Sequence, residues 1–393
     1  MTSEPDARHV FIVAGEESGD RLGAALIVAL RTATAGRVRV SGVGGAQMVR
    51  EGVDSPFPLG DLAIIGFAAI PGKLPLILRR IRETADAVIA ARPDVLVIID
   101  SPDFTHRVAK HVRRRAPNIP IVDYVCPSVW AWRPGRARTM RAYVDHVLAL
   151  LPFEPEAMRR LAGPPCSFVG HPLAEQVGRF RPSPEEQRRR DEPRPLVLVL
   201  PGSRSAEVAR MAPVFGAAMA RVTAAAGPLE IVVPTVPRLA KRVEAAIAAW
   251  PVKARIVVDA AEKEACFRTA RAALAKSGTS TLELALAGIP MVAAYKVTLV
   301  EEMIARMFVK VPSVILANLV LGENVVPEFL QRDCTAEKLS AALLPLLRDT
   351  PERQRQMQAF ARLDEIMHIG KASPSTRAAE LVLASYAARK TAA

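Results

Sequence analysis

At 393 residues the chain is too long for one ordinary core, and two domains are expected from the usual size of a domain. Half of its residues are apolar and 24% are charged, a globular composition that confines any disorder to the two ends. The formal charge of +13 points to nucleic acid, anionic membrane or phosphorylated substrates, while 32 prolines and few aromatic residues exclude a stacking platform for single strands.

The polar start MTSEPDARHV does not read as a secretory leader. Strand and helix patterns then alternate. HVFIVAG (His9–Gly15) reads as a buried parallel strand, and RLGAALIVALRTATAG (Arg21–Gly36) as the helix after it, ending at glycine. RVRVSGVGG, DVLVIID (Asp94–Asp100), IPIVDYV (Ile119–Val125), HVLALLP (His146–Pro152) and CSFVG (Cys166–Gly170) supply further short strands. Their apolar runs are continuous rather than alternating, which implies a sheet covered on both faces. Residues 179–195, RFRPSPEEQRRRDEPRP, break the pattern with prolines and charges and read as a linker between an N-terminal domain, 1–178, and a C-terminal domain, 196–374. A second series follows: LVLVLPG, LEIVVPT (Leu229–Thr235), ARIVVDA (Ala254–Ala260), AALAKSG and PMVAAYKV. The expected fold class is α/β, two doubly wound Rossmann-like domains with a ligand cleft at the carboxyl ends of both sheets. A last helix, about 375–388, fits against either domain.

Two turns carry the strongest chemical signal. LVLVLPGSRSAE (Leu196–Glu207) and KSGTSTLELALAGIP (Lys276–Pro290) each run from an apolar strand through small residues into a helix. Such helix starts present backbone N–H groups and the positive end of the macrodipole, which suits phosphate. Gly202, Ser203 and Arg204 in the first turn and Ser277, Gly278 and Thr279 in the second therefore suggest a diphosphate, with Arg204 neutralising charge and the hydroxyls donating. Glu283, about one turn into its helix, has the reach to accept from ribose hydroxyls. Two independent helix caps are the plainer alternative.

In the first half, AGEESGDRLGA (Ala14–Ala24) is not GxGxxG, and its spacing does not fit a dinucleotide site. It reads either as a tight turn presenting Glu16 and Ser18 to a ligand, or as a helix start capped by Ser18 or Asp20. DVLVIIDSPDF places Asp100 at a strand's carboxyl end, where a carboxylate suits a general base; Asp103 reads more simply as a turn residue. PSVWAWRPGR sets Trp130 beside Arg133, either an acceptor-pocket wall with an anion-binding arginine or two tryptophans packed at a domain edge. LAIIGFAAIPGKLPLILRRIRE (Leu62–Glu83) combines Ile64, Ile65, Phe67 and Ile70 with Lys73, Arg79 and Arg80, as an interfacial segment on an anionic bilayer does and as a core helix with a basic end also does. Its apolar run falls far short of the ~20 residues of a spanning helix. The four cysteines show no CxxC and no histidine at ligand spacing, so reduced thiols are expected, and no metal and no cofactor. No Asp-x-Asp pair offers a metal-bridged diphosphate, which leaves arginine and helix ends to meet the leaving charge.

The strings AGEESGD, GVGGAQM, DSPDF, YVCPSVWAWR, LPFE, FVGHPL, LPGSRSAEV, SGTSTLE, MVAAYKV and VPEFLQ, running in this order from Ala14 to Gln331, resemble the lipid-A-disaccharide synthases. The resemblance implies a two-domain glycosyltransferase of the GT-B type that joins UDP-2,3-diacylglucosamine to 2,3-diacylglucosamine 1-phosphate (lipid X). The product is the β-1′,6 disaccharide, with UDP released by a metal-independent inverting displacement. It further implies Asp100 as base, Arg204 and the helix ends on the departing UDP, Glu16, Glu283 and Asn318 near the donor, and His171 of FVGHPL at the cleft. Segment 62–83 would rest on the cytoplasmic face of the anionic inner membrane as a peripheral contact; nucleic acid is not an expected partner, and a homodimer is compatible. The chain departs from the family pattern at Glu17, Cys126, Ala317 and Glu323. The rival readings are a polyprenyl-linked glycosyltransferase or UDP-sugar epimerase on the same fold, and a non-catalytic membrane or nucleic-acid binder.

Overall fold

Strands that carry an apolar residue at every position must be covered on both faces, and the computed structural model, which describes residues 7–62, 70–298, 301–303, 311–368 and 372–390, bears this out in two parallel sheets. The chain divides into two compact units, 1–172 with 371–393, and 173–370.

The first unit contains β1 (Arg8–Ala14), α1 (Glu17–Ala33), β2 (Val38–Val43), α2 (Ala46–Arg50), α3 (Ile70–Ala91), β3 (Val95–Ile99), α4 (Pro102–Arg115), β4 (Ile121–Tyr124), α5 (Gly135–Met140), β5 (His146–Ala149), α6 (Glu154–Arg160) and β6 (Cys166–Phe168). The strand order is β2-β1-β3-β4-β5-β6, all parallel. Period-two geometry sorts β1 cleanly: Val10, Ile12 and Ala14 enter one core with Leu26, Ile27 and Leu30 of α1, while Phe11 and Val13 enter the other with Val108 and Val112 of α4. The chain order reverses between β1 and β3, so the loops after these two strands flank the switch point where doubly wound sheets bind ligands.

The second unit contains α7 (Leu173–Phe180), α8 (Pro184–Arg189), β7 (Leu196–Leu200), α9 (Ser205–Ala226), β8 (Glu230–Pro234), α10 (Ala240–Ala248), β9 (Arg255–Val257), α11 (Ala260–Thr269), β10 (Ala270–Lys276), α12 (Thr279–Leu286), β11 (Met291–Tyr295), α13 (Leu316–Leu321), β12 (Glu328–Leu330), α14 (Ala336–Leu346), α15 (Pro351–Ala361) and α16 (Leu363–Ile366). Its order is β12-β11-β10-β7-β8-β9, again parallel, with the switch point between β7 and β10. The sixth strand, β12, escaped the sequence pattern because only three residues of VPEFLQ pair.

The stretch 179–195, expected as a linker, carries an ordered helix of the second unit. Its Ser-Pro-Glu-Glu is a capping box rather than a flexible run: Ser183 Oγ accepts from Glu186 N and the Glu186 side chain accepts from Ser183 N. Arg190 then buries to 2% exposure and donates to the carbonyls of Phe267, Arg268, Ala287 and Gly288, closing the carboxyl ends of α11 and α12. Burial pulls its guanidinium down to about 10, still charged at neutral pH.

The last helix, α17 (Pro374–Lys390), belongs to the first unit. Ala378, Ala379 and Val382, spaced for one helical face, complete the core around Leu26 and Leu30. Val382→Asp should therefore cost at least about 3 kcal/mol, the toll of an unpaired buried carboxylate, whereas the exposed Glu380→Ala should stay within about 0.5 kcal/mol. Chemical denaturation followed by circular dichroism measures both; equal midpoints would mean that α17 contributes nothing to the core.

Candidate active site

At the switch point of the first unit the chain must turn from β3 into α4 within two residues. It does so with Asp100 and Ser101 both left-handed, at φ 52° and 48°. Each such residue costs about 1 kcal/mol or more, so the turn needs compensation. Ser101 N donates to Asp100 Oδ1 (2.7 Å), Asp100 N to Tyr124 O (3.2 Å), and Thr105 Oγ1 to Asp100 O (2.6 Å), with Pro102 opening α4. Gly15 is obligatory opposite this turn, since a Cβ there would lie 2.4 Å from Ser101 Cβ. Ser18, on α1, donates to Asp100 Oδ2 at 3.0 Å, and Ser101 Oγ lies 3.5 Å from Glu16 Oε1. The structure therefore gathers Glu16, Ser18 and Asp100. Asp20 does something else: its carboxylate accepts from Gly45, Gln47 and Met48 N–H and caps α2.

Asp100 opens onto a cavity of about 110 Å³ that it lines with Pro102, His106, Asp123, Val125, Cys126, Pro127 and Ser128. A third left-handed residue, Val125 at φ 93°, borders it, so the strain gathers at the site. His106 and Asp123, which sequence reasoning missed, form the cavity's buried polar floor. His106 Nε2 lies 3.0 Å from Asp123 Oδ2 and Nδ1 3.1 Å from Tyr143 OH. Burial, more than any charge, pushes the Asp123 carboxyl up, and His106 opposes that shift. Two sequence signals were available: a histidine inside the apolar helix face that follows DSPDF, and an aspartate inside an otherwise apolar strand.

The acceptor candidates are more structural than expected. Trp130 packs edge-on against Phe153 and donates from Nε1 to Glu154 Oε1 at 3.2 Å. Arg133 stacks over Trp132, 4.0 Å from the ring centre. Asp103 is 83% exposed and pairs with Arg136 at 3.3 Å, on the outside of α4. His171 follows β6, and burial pulls its imidazole down to about 4, neutral at physiological pH.

At the second switch point the two helix starts prove unequal. Glu207, in the first turn of α9, folds back so that Oε2 accepts from Ser203 N (3.0 Å) and Arg204 N (3.2 Å). Those amides, expected to be free for phosphate, are already occupied by an internal carboxylate. Gly202, at φ 133°, is required there, because a Cβ would sit 2.5 Å from Glu207 Cβ. Arg204 itself extends outward, 78% exposed, with Nη1 3.6 Å from Glu207. The start of α12, by contrast, has no side-chain cap. Beside it Ser277 Oγ, on a residue 5% exposed, and Glu283 Oε2 are buried atoms without a hydrogen bond among the described residues. Glu283 keeps one ion pair, to Lys263 Nζ at 3.6 Å. Because the Lys263 pair falls on Glu283 Oε2 itself, the Ser277 hydroxyl is the one of the two left without a partner among the described residues, which is uncommon for a buried polar atom. Lys276, at the carboxyl end of β10, was missed, although it stands at the head of the KSGTSTLE string.

Asn318 is not open to a donor. At 2% exposure its amide donates to Val326 O and Ser313 Oγ, and its carbonyl accepts from Val325 and Val326 N–H, so it fixes the loop after α13. Glu323 pairs with Arg362 and Arg355. Of the expected membrane residues, Ile64, Ile65 and Phe67 lie outside the described residues, as do the side chains of Ile70 and Lys73. Leu74, Leu78 and Arg79 are exposed on α3. Arg80 is spent internally on Asp61 (2.6 Å), Glu83 (2.7 Å) and the face of Phe57. No described helix is long and apolar enough to cross a membrane, and no described cluster of His, Cys, Asp or Glu has the makings of a metal site.

Two doubly wound units, each with its functional loops at a switch point, define the GT-B class of glycosyltransferase folds. The calicheamicin glycosyltransferase CalG4 is similar in fold, with a TM-score of 0.57 at 16% identity over 98% of this chain and 99% of that one. The family model for lipid-A-disaccharide synthetase matches residues 10–382. Lipid-A-disaccharide synthases of Nitrobacter hamburgensis and Bradyrhizobium diazoefficiens are 61% and 60% identical, covering 97% and 98% of this chain and 96% and 98% of theirs. The chain belongs to the lipid-A-disaccharide synthetase family and is a glycosyltransferase.

Glu154 gives a pH test of the Trp130 contact. Burial pushes its carboxyl up to about 7 from 4.5, although Trp130 and Leu151 N–H donate to it. The folded state thus holds a proton that the unfolded state releases near 4.5, so the associated stability is full below that pH and is lost as pH rises through 7. Glu154→Gln should raise stability at pH 8 by on the order of 2–3 kcal/mol and change it little at pH 4.5. Denaturant midpoints at the two pH values measure the difference, and a pH-independent effect would refute the assignment.

Proposed function

We propose that this chain joins UDP-2,3-diacylglucosamine to 2,3-diacylglucosamine 1-phosphate, forming the β-1′,6-linked disaccharide 1-phosphate and UDP. The observation that carries the reading is the pair of chemically opposite sites at the two switch points. An uncapped helix start beside Ser277 Oγ, a buried hydroxyl without a hydrogen bond among the described residues, suits a nucleotide diphosphate, and a held carboxylate, Asp100, suits a hydroxyl that must lose its proton.

In the proposed inverting displacement, the acceptor 6-hydroxyl oxygen forms a bond to the donor's anomeric carbon as the bond from that carbon to the UDP oxygen breaks. Asp100 receives the hydroxyl proton. Ser18 and Ser101 N–H hold its two oxygens in place without occupying every lone pair. UDP leaves with an added negative charge, which the α12 start, Ser277 and Thr279 stabilise with Arg204, whose exposed guanidinium is free to swing onto it. Glu283 accepts from the ribose. The family relationship supports a UDP-sugar donor and a lipid acceptor. The exposed Leu74 and Leu78 of α3, with Arg79, which is exposed but paired with Glu83, support contact with a bilayer, which we place at the cytoplasmic face of the inner membrane.

Turnover of the two lipid substrates in detergent micelles containing EDTA, followed by UDP release, tests the reading. Asp100→Ala should lower kcat by about 10²–10⁴-fold with UDP binding nearly unchanged. Arg204→Ala should weaken UDP binding and turnover together, by about tenfold, the worth of one charge-assisted contact. Undiminished turnover in Asp100→Ala ends the base assignment, and a strict need for added Mg²⁺ ends the metal-free account.

A further inference from the structure

Lys276 lies between the two helix starts of the second switch point. Its ammonium is 3.1 Å from Glu207 Oε1 and 4.5 Å above the centre of the Tyr295 ring, and a Cβ added to Gly278, at the head of α12, would be 3.5 Å from it. Its side chain is mostly buried. Glu207 is more buried still and is used on both oxygens: Oε2 by Ser203 and Arg204 N–H, Oε1 by Lys276 with Arg204 Nη1 at 3.6 Å. Each partner of Glu207 is a group of the kind that binds phosphate. Burial works against its charge, but Lys276 and the amides hold the carboxyl below its ordinary value, so it is an anion at neutral pH.

We propose that Glu207 is a built-in stand-in for the donor's diphosphate and that Lys276 is a diphosphate-binding residue, exchanged from Glu207 to a phosphate oxygen when the nucleotide binds. This rests on the nucleotide reading of the second unit and names a cation and a competitor within that site. The exchange balances: one Lys276–carboxylate contact is given up for one Lys276–phosphate contact, no proton moves, and Glu207 keeps the two backbone N–H groups. Tyr295 stays under the ammonium in both states. Ser277 Oγ, next in the chain to Lys276, is a buried hydroxyl without a hydrogen bond among the described residues and can donate to the same phosphate. The arrangement predicts an unusual sign: neutralising Glu207 removes a negative charge beside the incoming diphosphate and frees Lys276, so it should tighten binding.

The test is UDP and uridine binding to the full chain, by calorimetry for UDP and by NMR titration for uridine. Glu207→Gln should bind UDP about three- to tenfold more tightly and Lys276→Met about tenfold more weakly, with uridine within about twofold of wild type in both. Because Lys276→Met leaves Glu207 buried without its cation, the neutral double variant Glu207→Gln/Lys276→Met provides a folded control. It should bind UDP at least tenfold more weakly than Glu207→Gln alone. A Glu207→Gln protein that binds UDP no better than wild type overturns the stand-in, and a double variant that equals Glu207→Gln overturns the Lys276 contact. Parallel losses for UDP and uridine would make the pair a structural brace. Wild-type protein that ignores UDP would instead overturn the nucleotide reading itself.

Discussion

The abrupt turn at the carboxyl end of a buried parallel strand is the constraint on which the rest of this molecule depends. A strand covered on both faces offers its side chains to the cores, so only its end can offer chemistry to a ligand. At β3 the end is Asp100, and the chain must reverse into α4 immediately. Two left-handed residues achieve this, and the surrounding groups are chosen to tolerate it: Gly15 gives Ser101 room, Thr105 ties both left-handed carbonyls, and Pro102 begins the helix with a residue that needs no N–H partner. The same contacts that stabilise the turn hold the Asp100 carboxylate, so the local strain and the orientation of that carboxylate have one cause. A looser, glycine-rich turn would cost less and would aim nothing.

Charge inside the protein follows a second rule: each buried ionic group is spent on a definite partner. Arg190 is held by backbone carbonyls at helix ends and Arg353 by the carbonyls of Leu346, at the end of α14, and Arg271, on β10, and burial pulls both down to about 10 without discharging them. Their role is to finish helices that end inside the second unit. His106, Asp123 and Tyr143 satisfy one another at the floor of the Asp100 cavity, where an unpaired aspartate would be costly. Glu207 and Lys276 obey the same rule, but each partner of Glu207 is also a phosphate-binding group, which is why that pair alone reads as exchangeable.

Much of the fold was legible because continuous apolar runs such as Val95–Ile99 and Leu196–Leu200 admit one reading, strands covered on both faces. Segment 179–195 was misread because prolines and charges mark both linkers and capped short helices, and only the Ser183–Glu186 spacing separates them. Asp100 and the SGT turn were legible from their place at strand ends. Asn318 was not: its resemblance-based role gave no hint that all its hydrogen-bonding capacity is used on the loop at Val325 and Val326. Arg80 failed in the same way, since a basic residue near apolar ones looks like a lipid contact until Asp61 and Glu83 are seen to hold it. His106, Asp123, Glu207 and Lys276 lay hidden because their meaning is relational. Each takes its meaning from a distant partner or from a cavity that the sequence does not draw, as His106 with Asp123, 17 positions on, and Lys276 with Glu207, 69 positions back, illustrate.

The two units meet opposite electrostatic demands with the same architecture. Under the proposed reaction, the acceptor must lose a proton and the donor must lose an anion. The first unit places carboxylates, Asp100 and Asp123, around its cavity, with Asp123 matched to His106 so that Asp100 faces no second unpartnered carboxylate. The second unit places an uncapped helix start, Arg204 and Lys276 at its switch point. A parallel sheet dictates neither sign; it only brings two strand ends and two helix starts together. What decides the sign is which side chain follows the strand: aspartate after β3, lysine at the end of β10. A single architectural solution is thereby given a carboxylate at one switch point and an ammonium at the other by a few residues at equivalent topological positions.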